Sequence, residues 1–395
     1  MNRPIYLDYN GTTPHHPEVI AAMRPFLEEE FGNPSSGHLY AVRPRQAVAR
    51  ARRQLADLLG CTPAEVVFTS GGTEANNWAI LGSALGLAER GRHIVTSCVE
   101  HPAVLNVCRF LEERHGFAVT RVAVDGHGRV DPAAVAAALR PDTVLVSIMH
   151  ANNEVGTIQP IAAIARLARE RGVRVHTDAA QSVGKIPVLV EDLGVDLLSV
   201  AGHKLYAPKG VGALYVRRGT ALGPLLHGAG QEGGLRAGTE NVLEIVGLGQ
   251  ACEIARRDLA ETGARLRVLR DRLEAALAAA VPEMRVNGHP EKRLPNTLNV
   301  SFRGLAANRL LEAIGLEVAA SAGAACHADR TEISHVLAAM GVPEAWAAGT
   351  LRLTVGRMTT AAEVDAAAAV IAREVAALRD GASRRPEGAP GRPAS

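Results

Sequence analysis

The sequence predicts an α/β protein: a mainly parallel sheet of seven strands in a large domain, followed by a smaller α/β unit toward the C-terminus. Three observations predict it. Apolar runs of strand length alternate with amphipathic runs of helix length, the pattern of strands joined by crossover helices. The strand candidates are apolar throughout, as burial on both faces requires. The chain, at 395 residues and 47% hydrophobic, is too long for one minimal domain and suits two.

In chain order the strand candidates are 65–70 (EVVFTS), 93–100 (HIVTSCVE), 119–125 (VTRVAVD), 143–150 (TVLVSIMH), 173–180 (VRVHTDAA), 196–204 (DLLSVAGHK) and 212–218 (GALYVRR). Helical patterns lie between several of them, such as Pro160 to Arg171. After about residue 240 the texture changes. A long helical stretch places Leu266, Leu269, Leu273 and Leu277 on one face. Segments 297–304, 317–326 and 350–357 then read as strands separated by helices. The last fifteen residues, 381–395, are rich in Gly, Pro, Ser and Arg and read as a disordered tail.

Composition narrows the function. Lys+Arg 43 against Asp+Glu 41 gives a net charge of +2, which offers no footprint for nucleic acid. The five cysteines, Cys61, Cys98, Cys108, Cys252 and Cys326, form no CxxC pair, so neither a zinc ribbon nor a disulfide framework is indicated. An odd, sparse count fits a reducing cytosol. The N-terminus lacks an apolar signal core, and no stretch approaches the roughly twenty uncharged apolar residues of a spanning helix. The expectation is a cytoplasmic protein that binds neither membrane nor nucleic acid.

Five strand ends carry chemistry. Ser70-Gly71-Gly72-Thr73 follows a strand and opens a helix, where glycines and free amides can cup a phosphate. Read alone, it is more often a plain helix start, since Ser-Gly-Gly turns are common. His101 and Asn153 stand just past two further strands. Asp178 ends an apolar strand, where a carboxylate is costly unless paired; an N-cap accounts for it equally well. Gln181 follows three residues later. His203-Lys204 ends the sixth strand candidate. In open α/β sheets, ligands bind beyond these carboxyl ends. Together the residues offer phosphate donors, an aromatic stacker, a carboxylate and an amine, the set that pyridoxal 5′-phosphate requires.

The chain resembles the cysteine desulfurase branch of the class V aminotransferases, with selenocysteine lyases as near relatives. The resemblance runs from LDYNGTTP (7–14) to LRLTVGRMTT (351–360) and includes GNPSSGH, TSGGTEANN, EHPAV, MHANNEVGTIQP, HTDAAQSVGK, GHKLYAPKGVGALYVR, GLRAGTEN and SAGAAC. It implies a pyridoxal-phosphate-dependent homodimer of fold type I. Residues 15–260 would form the large cofactor-binding domain, and 1–14 with 261–380 the small domain carrying the cysteine loop. By position, Lys204 resembles the Schiff-base lysine, Asp178 the partner of the ring nitrogen, and Gln181 the donor to the ring hydroxyl. His101 resembles the stacking histidine that moves protons. Gly72, Thr73 and His203 resemble phosphate ligands, and Thr239 the threonine that reaches the phosphate of the other subunit. Asn153, also beside the cofactor, and Arg352 resemble the groups that hold the substrate carboxylate. Cys326 resembles the mobile nucleophile.

The implied reaction converts L-cysteine to L-alanine, with sulfur passed to Cys326 as a persulfide and on to an acceptor such as an iron–sulfur scaffold protein. The alternative implied by the same resemblance is release of selenium from L-selenocysteine. One departure stands out. Desulfurases commonly carry serine where this chain has Ala201, so one phosphate contact is missing or comes from another group. Asn10 in LDYN and His327 after Cys326 lean, with Ala201, toward the lyases.

Overall fold

The computed structural model describes the backbone of residues 3–322, 324–327 and 330–383, and side chains outside 323–332 and 381–383. In chain order it runs β1 (Ile5–Tyr6), α1 (Pro17–Glu28), α2 (Val42–Leu59), β2 (Val66–Thr69), α3 (Gly72–Gly86), β3 (His93–Ser97), α4 (Pro102–His115), β4 (Ala118–Val122), α5 (Pro132–Ala138), β5 (Thr143–Ser147), α6 (Ile161–Glu170), β6 (Arg174–Asp178), α7 (Val190–Leu193), β7 (Leu197–Ala201) and β8 (Gly212–Val216). Then follow α8 (Val242–Ala280), β9 (Met284–Asn287), β10 (Thr297–Phe302), α9 (Ala307–Ile314), β11 (Val318–Ala319), β12 (Ser321–Ala322), β13 (Ala324–His327), β14 (Arg330–Ile333), α10 (His335–Ala339), α11 (Glu344–Ala347), β15 (Thr350–Thr354) and α12 (Ala361–Ser383).

All seven strands expected in the first half form one sheet, ordered β2-β8-β7-β6-β5-β3-β4. β3 to β7 pair in parallel, while β8 runs antiparallel to both β7 and β2. β2, β3, β5, β7 and β8 are buried along their whole length. β4 departs from the expectation of continuous burial: it is an edge strand, and Arg121 on it is exposed. A second sheet, β12-β15-β10-β9, is antiparallel.

Four local readings change. The segment 317–326 is not one strand but three short pieces, each in a different sheet. Its run of small residues gives no single strand enough side chain to pack. β9 had no sequence signal; it is a four-residue edge strand, half-buried for most of its length. The sixth large-sheet strand stops at Ala201, and Gly202–Lys204 form a single 3-10 turn. The expected tail begins later than 381, since α12 continues to Ser383; the rest of it lies outside the described residues.

The apolar side chains sort into one large cluster on the seven-stranded sheet and another on the four-stranded one. Helix α8 belongs to both. Ile245 to Ala255 sit in the first, and Leu266, Leu269, Leu273 and Leu277 in the second. At 39 residues it is about 58 Å long. We take 15–260 as the large domain and 1–14 with 261–380 as the small one. The packing of Leu7 among the second cluster supports placing the N-terminal segment there. Among the described residues no helix is long and apolar enough to cross a membrane.

Leu273 is 0% exposed at the centre of the second cluster. Leu273→Ala should destabilise the protein by about 2–5 kcal/mol through the cavity it leaves. Denaturant unfolding checks this, and a loss under about 1 kcal/mol would mean the small core collapses around the deletion.

Candidate active site

Because the strands β3 to β7 run parallel, the loops after them gather at one edge of the sheet. Residues 8–11 cross that edge, tied to the small sheet by an Asp8–Thr354 bridge. Between them lies a cavity of about 290 Å³ lined by Gly72, Thr73, His101, Asn153, Asp178, Gln181, His203, Lys204 and Arg352. Nine residues singled out from the sequence are thereby brought together.

At one end stands the start of α3. Gly71 has φ 151°, a backbone conformation that favours glycine. A Cβ added to Gly72 would lie 3.1 Å from that of Ala201. The first amides of α3 have no intrahelical partner and face an anion site. Glu74 holds the turn from behind: it accepts from the Ser70 amide at 2.7 Å and pairs with Arg236 at 2.9 Å. Ala201 adds only a methyl group here, so it donates nothing to a phosphate. His203 lies nearby, its Nδ1 3.2 Å from the Thr12 hydroxyl. Burial first, then Lys204, pushes its pKa down to about 4, so it is neutral and its other nitrogen remains for a ligand.

His101 is the N-cap of α4. Its Nδ1 accepts from the Ala103 amide at 3.1 Å, which leaves Nε2 as the protonated nitrogen. Burial lowers its pKa below the usual histidine value; Asp178 opposes this and Lys204 adds to it. Asp178, 6% exposed, is buried at the end of β6. Its Oδ1 accepts from the Ala180 amide at 2.9 Å, as in an N-cap, and its Oδ2 from Asn76 Nδ2 at 2.7 Å. The carboxylate caps a turn, not the helix that an N-cap reading expects, and the residue lines the cavity.

Lys204 Nζ donates to the carbonyls of Asn10 and Gly11, at 2.8 and 2.6 Å. Burial and then Arg352 bring its pKa down to about 8, against the pull of Asp8 and Asp178. Arg352, on β15, donates to Asp8 Oδ1 at 2.7 Å and to the Asn153 carbonyl at 3.2 Å. Its Nε is buried without a partner.

Sequence reasoning missed three members. Asn10 bridges the N-terminal segment to Lys204, Gln181 and the small sheet. Asn76 fixes Asp178, and its own Oδ1 is buried without a partner. Its place three residues after Thr73, on the same helix face, was the available signal. Lys185 holds Gln181 and follows it by four residues in HTDAAQSVGK. One expected member, Thr239, stands elsewhere, and another, Cys326, has its side chain outside the described residues. Thr239 is on an exposed stretch outside this cavity. The backbone of Cys326 lies in β13, opposite Thr331 in β14, so this part of the expected loop has hairpin form; its side chain and Gly323 lie outside the described residues.

The residues fit pyridoxal phosphate. A helix start, Thr73 and His203 suit the phosphate, Asp178 the ring nitrogen, and Lys204 the aldehyde. The glycine cradle and the unpartnered Arg352 Nε leave room and a donor for an anionic ligand beside it.

Residues 5–367 match the family described as Aminotransferase class-V. The cysteine desulfurase IscS of Dictyoglomus turgidum is 48% identical over 380 residues, which cover 96% of each chain. Among solved structures, a NifS-like protein matches with a TM-score of 0.89 at 38% identity, over 95% of this chain and 100% of its own. A structure described as SspA in complex with cysteine matches with a TM-score of 0.79 at 38% identity, over 90% of this chain and 99% of its own.

The depressed pKa of Lys204 predicts a pH profile. The unfolded chain holds the extra proton between about 8 and the ordinary 10.5, so the cofactor-free protein gains stability as pH rises through that window. Only the neutral amine attacks an aldehyde. The rate of pyridoxal phosphate capture should therefore climb up to pH about 8 and level off above it. A rate still rising steeply at about pH 9.5 would mark an ordinary lysine.

Proposed function

The chain belongs to the class-V aminotransferases, and among them to the cysteine desulfurases; from that membership we propose how its residues take sulfur from L-cysteine. The observation that carries the reading is the buried, unpartnered Nε of Arg352, in one cavity with the Lys204 amine and the Asp178 carboxylate. That arrangement suits an amino acid held by its carboxylate beside a cofactor held by its aldehyde.

Bound pyridoxal phosphate supplies an electron sink for the pair left on the substrate's α-carbon. Thr73, Gly72 and His203 hold its phosphate, and Asp178, fixed by Asn76, keeps a proton on the ring nitrogen. Gln181 donates to the ring hydroxyl, and His101 stacks on the ring. Arg352 grips the carboxylate of L-cysteine with its planar fork, already aimed by Asp8 and Asn153. Lys204 takes the substrate's α-proton, and Lys204 with His101 returns a proton. The Cys326 thiolate attacks the substrate sulfur, so an S–S bond forms as the Cβ–S bond breaks. The electron pair stays on carbon, which takes a proton to become the methyl group of L-alanine. Sulfur remains on Cys326 as a persulfide for an acceptor such as an iron–sulfur scaffold protein.

The same reading makes the protein a cytoplasmic homodimer in which Thr239 serves the partner's phosphate site. The exposure of Phe31, Leu39 and Tyr40, with the Phe31 and Tyr40 rings 5.4 Å apart, supports a covered surface there.

The test is sulfide from L-cysteine and selenide from L-selenocysteine, with excess thiol. Wild type should release sulfide and alanine, and Cys326→Ala should lose sulfide release by about 100-fold or more. Sulfide that survives in Cys326→Ala would remove Cys326 as acceptor. Strong selenide release with negligible sulfide from wild type would make selenocysteine the substrate. Arg352→Lys keeps the charge but not the fork; it should raise KM for cysteine about tenfold or more with a smaller change in kcat. An unchanged KM would separate Arg352 from the carboxylate.

A further inference from the structure

Lys185 takes no part in the roles assigned above, yet it is buried, 7% exposed, behind the cofactor face of the cavity. Its Nζ donates to Gln181 Oε1 at 2.7 Å and to Asn10 Oδ1 at 2.9 Å. Burial, with the cations Lys204 and Arg352 nearby, holds its pKa well below the ordinary lysine value. Two acceptors receive hydrogens from this amine.

Those two bonds decide the state of both neighbours. Gln181 Nε2 donates to the Asn10 carbonyl at 3.0 Å, while its Oε1 receives from Lys185. Turning the amide over would forfeit the bond that Lys185 donates and set Oε1 against the Asn10 carbonyl, two acceptors face to face. The Gln181 side chain is therefore locked with its donor edge on the cavity side. Asn10 is pinned in the same way. Its Oδ1 receives from Lys185 and from Asn296, and its Nδ2 donates to Thr297 at 2.9 Å. The carbonyl thus fixed is one of the two that hold Lys204.

We propose that Lys185 is a positioning residue that acts through Gln181 and Asn10: it keeps the Gln181 amide as a donor toward the cofactor ring oxygen and keeps the Asn10 carbonyl on the Lys204 amine. The proposal rests on pyridoxal phosphate occupying the cavity. A donor at the ring oxygen draws off the negative charge that would otherwise hold a proton on the cofactor-bound Lys204 nitrogen. That nitrogen is also faced by Asp8 and Arg352 from the small-domain side and by Asp178 from β6. His101 and His203, both with pKa values lowered by burial, complete its surroundings. Replacing Lys185 leaves these side chains in place, but His203 loses the through-space charge of Lys185, an effect that the double variant with Gln181 separates from the path through the amide.

The experiment titrates the visible absorbance of the pyridoxal phosphate holoenzyme with pH, for wild type, Lys185→Met, Gln181→Met and the double variant. Thermal melting accompanies each titration. In Lys185→Met the absorbance midpoint should move upward by roughly half a pH unit or more. Gln181→Met should move it in the same direction, and the double variant no further, because the two residues act along one path. Lys185→Gln, which retains a donor, should return the midpoint toward wild type. Should Lys185→Met fail to fold, Lys185→Leu serves in its place. An unmoved midpoint in a folded variant, even with a lowered melting temperature, would overturn the proposal and leave Lys185 a structural residue. Shifts that add in the double variant would overturn it as well. A wild-type protein that shows no visible band with pyridoxal phosphate would instead remove the function proposed above, and this inference with it.

Discussion

The site depends on the main-chain oxygen of Asn10. It accepts from Lys204 and from Gln181, so one carbonyl joins the amine that reacts and the amide that faces the cofactor ring. A carbonyl is a stiff acceptor only when its own residue cannot turn. Asn10 cannot: its amide nitrogen donates to Thr354, and its side chain is bonded to Lys185, Asn296, Thr297 and the Asn153 carbonyl. These partners come from the turn after β6, from the loop after β5 and from the small sheet. The two sheets meet the reacting lysine through one fixed residue.

Electrostatics follows from this closure. Lys204, Lys185 and Arg352 share a small space with the carboxylates Asp8 and Asp178. Taking cations out of water is costly, and the cost appears as lowered proton affinity at the two lysines. Arg352 cannot shed its proton in the same way, and it is held by a carboxylate and a carbonyl instead. The result is a cavity in which amines are available as bases while a guanidinium and a helix start remain to attract anions. The guanidinium and the helix start stand apart, so two anionic groups could be met without competing for one donor set.

The fold and most of the site were legible because they rest on local signals. The large-sheet strands other than β4 are mostly apolar runs, and three strand ends are marked by residue types that a strand interior would reject: His101, Asp178 and Lys204. What could not be read depends on contacts between distant segments. Nothing near Asn10 says that its carbonyl will meet residues 171 and 194 positions away. Asn76 and Lys185 did carry signals, at helical and turn spacing from known candidates, but a polar residue at such spacing is usually solvated. β9 was invisible for another reason: a four-residue edge strand has too little apolar pattern to distinguish it from a loop. The division of 317–326 among three sheets was hidden because its small side chains suit almost any backbone.

The placement of residues 5–8 has a consequence for how the protein is made. Ile5 and Tyr6 pair with Val318 and Ala319, and Asp8 with Thr354. Residues 5–8 therefore wait for partners made more than three hundred positions later. At about 5–20 residues per second, Thr354 follows Asp8 by roughly 17–70 s. Throughout that interval the sheet and its phosphate cup can form, but the carbonyls that hold Lys204 have no scaffold. The nascent chain thus leaves Lys204 without its full set of partners until Thr354 has been made.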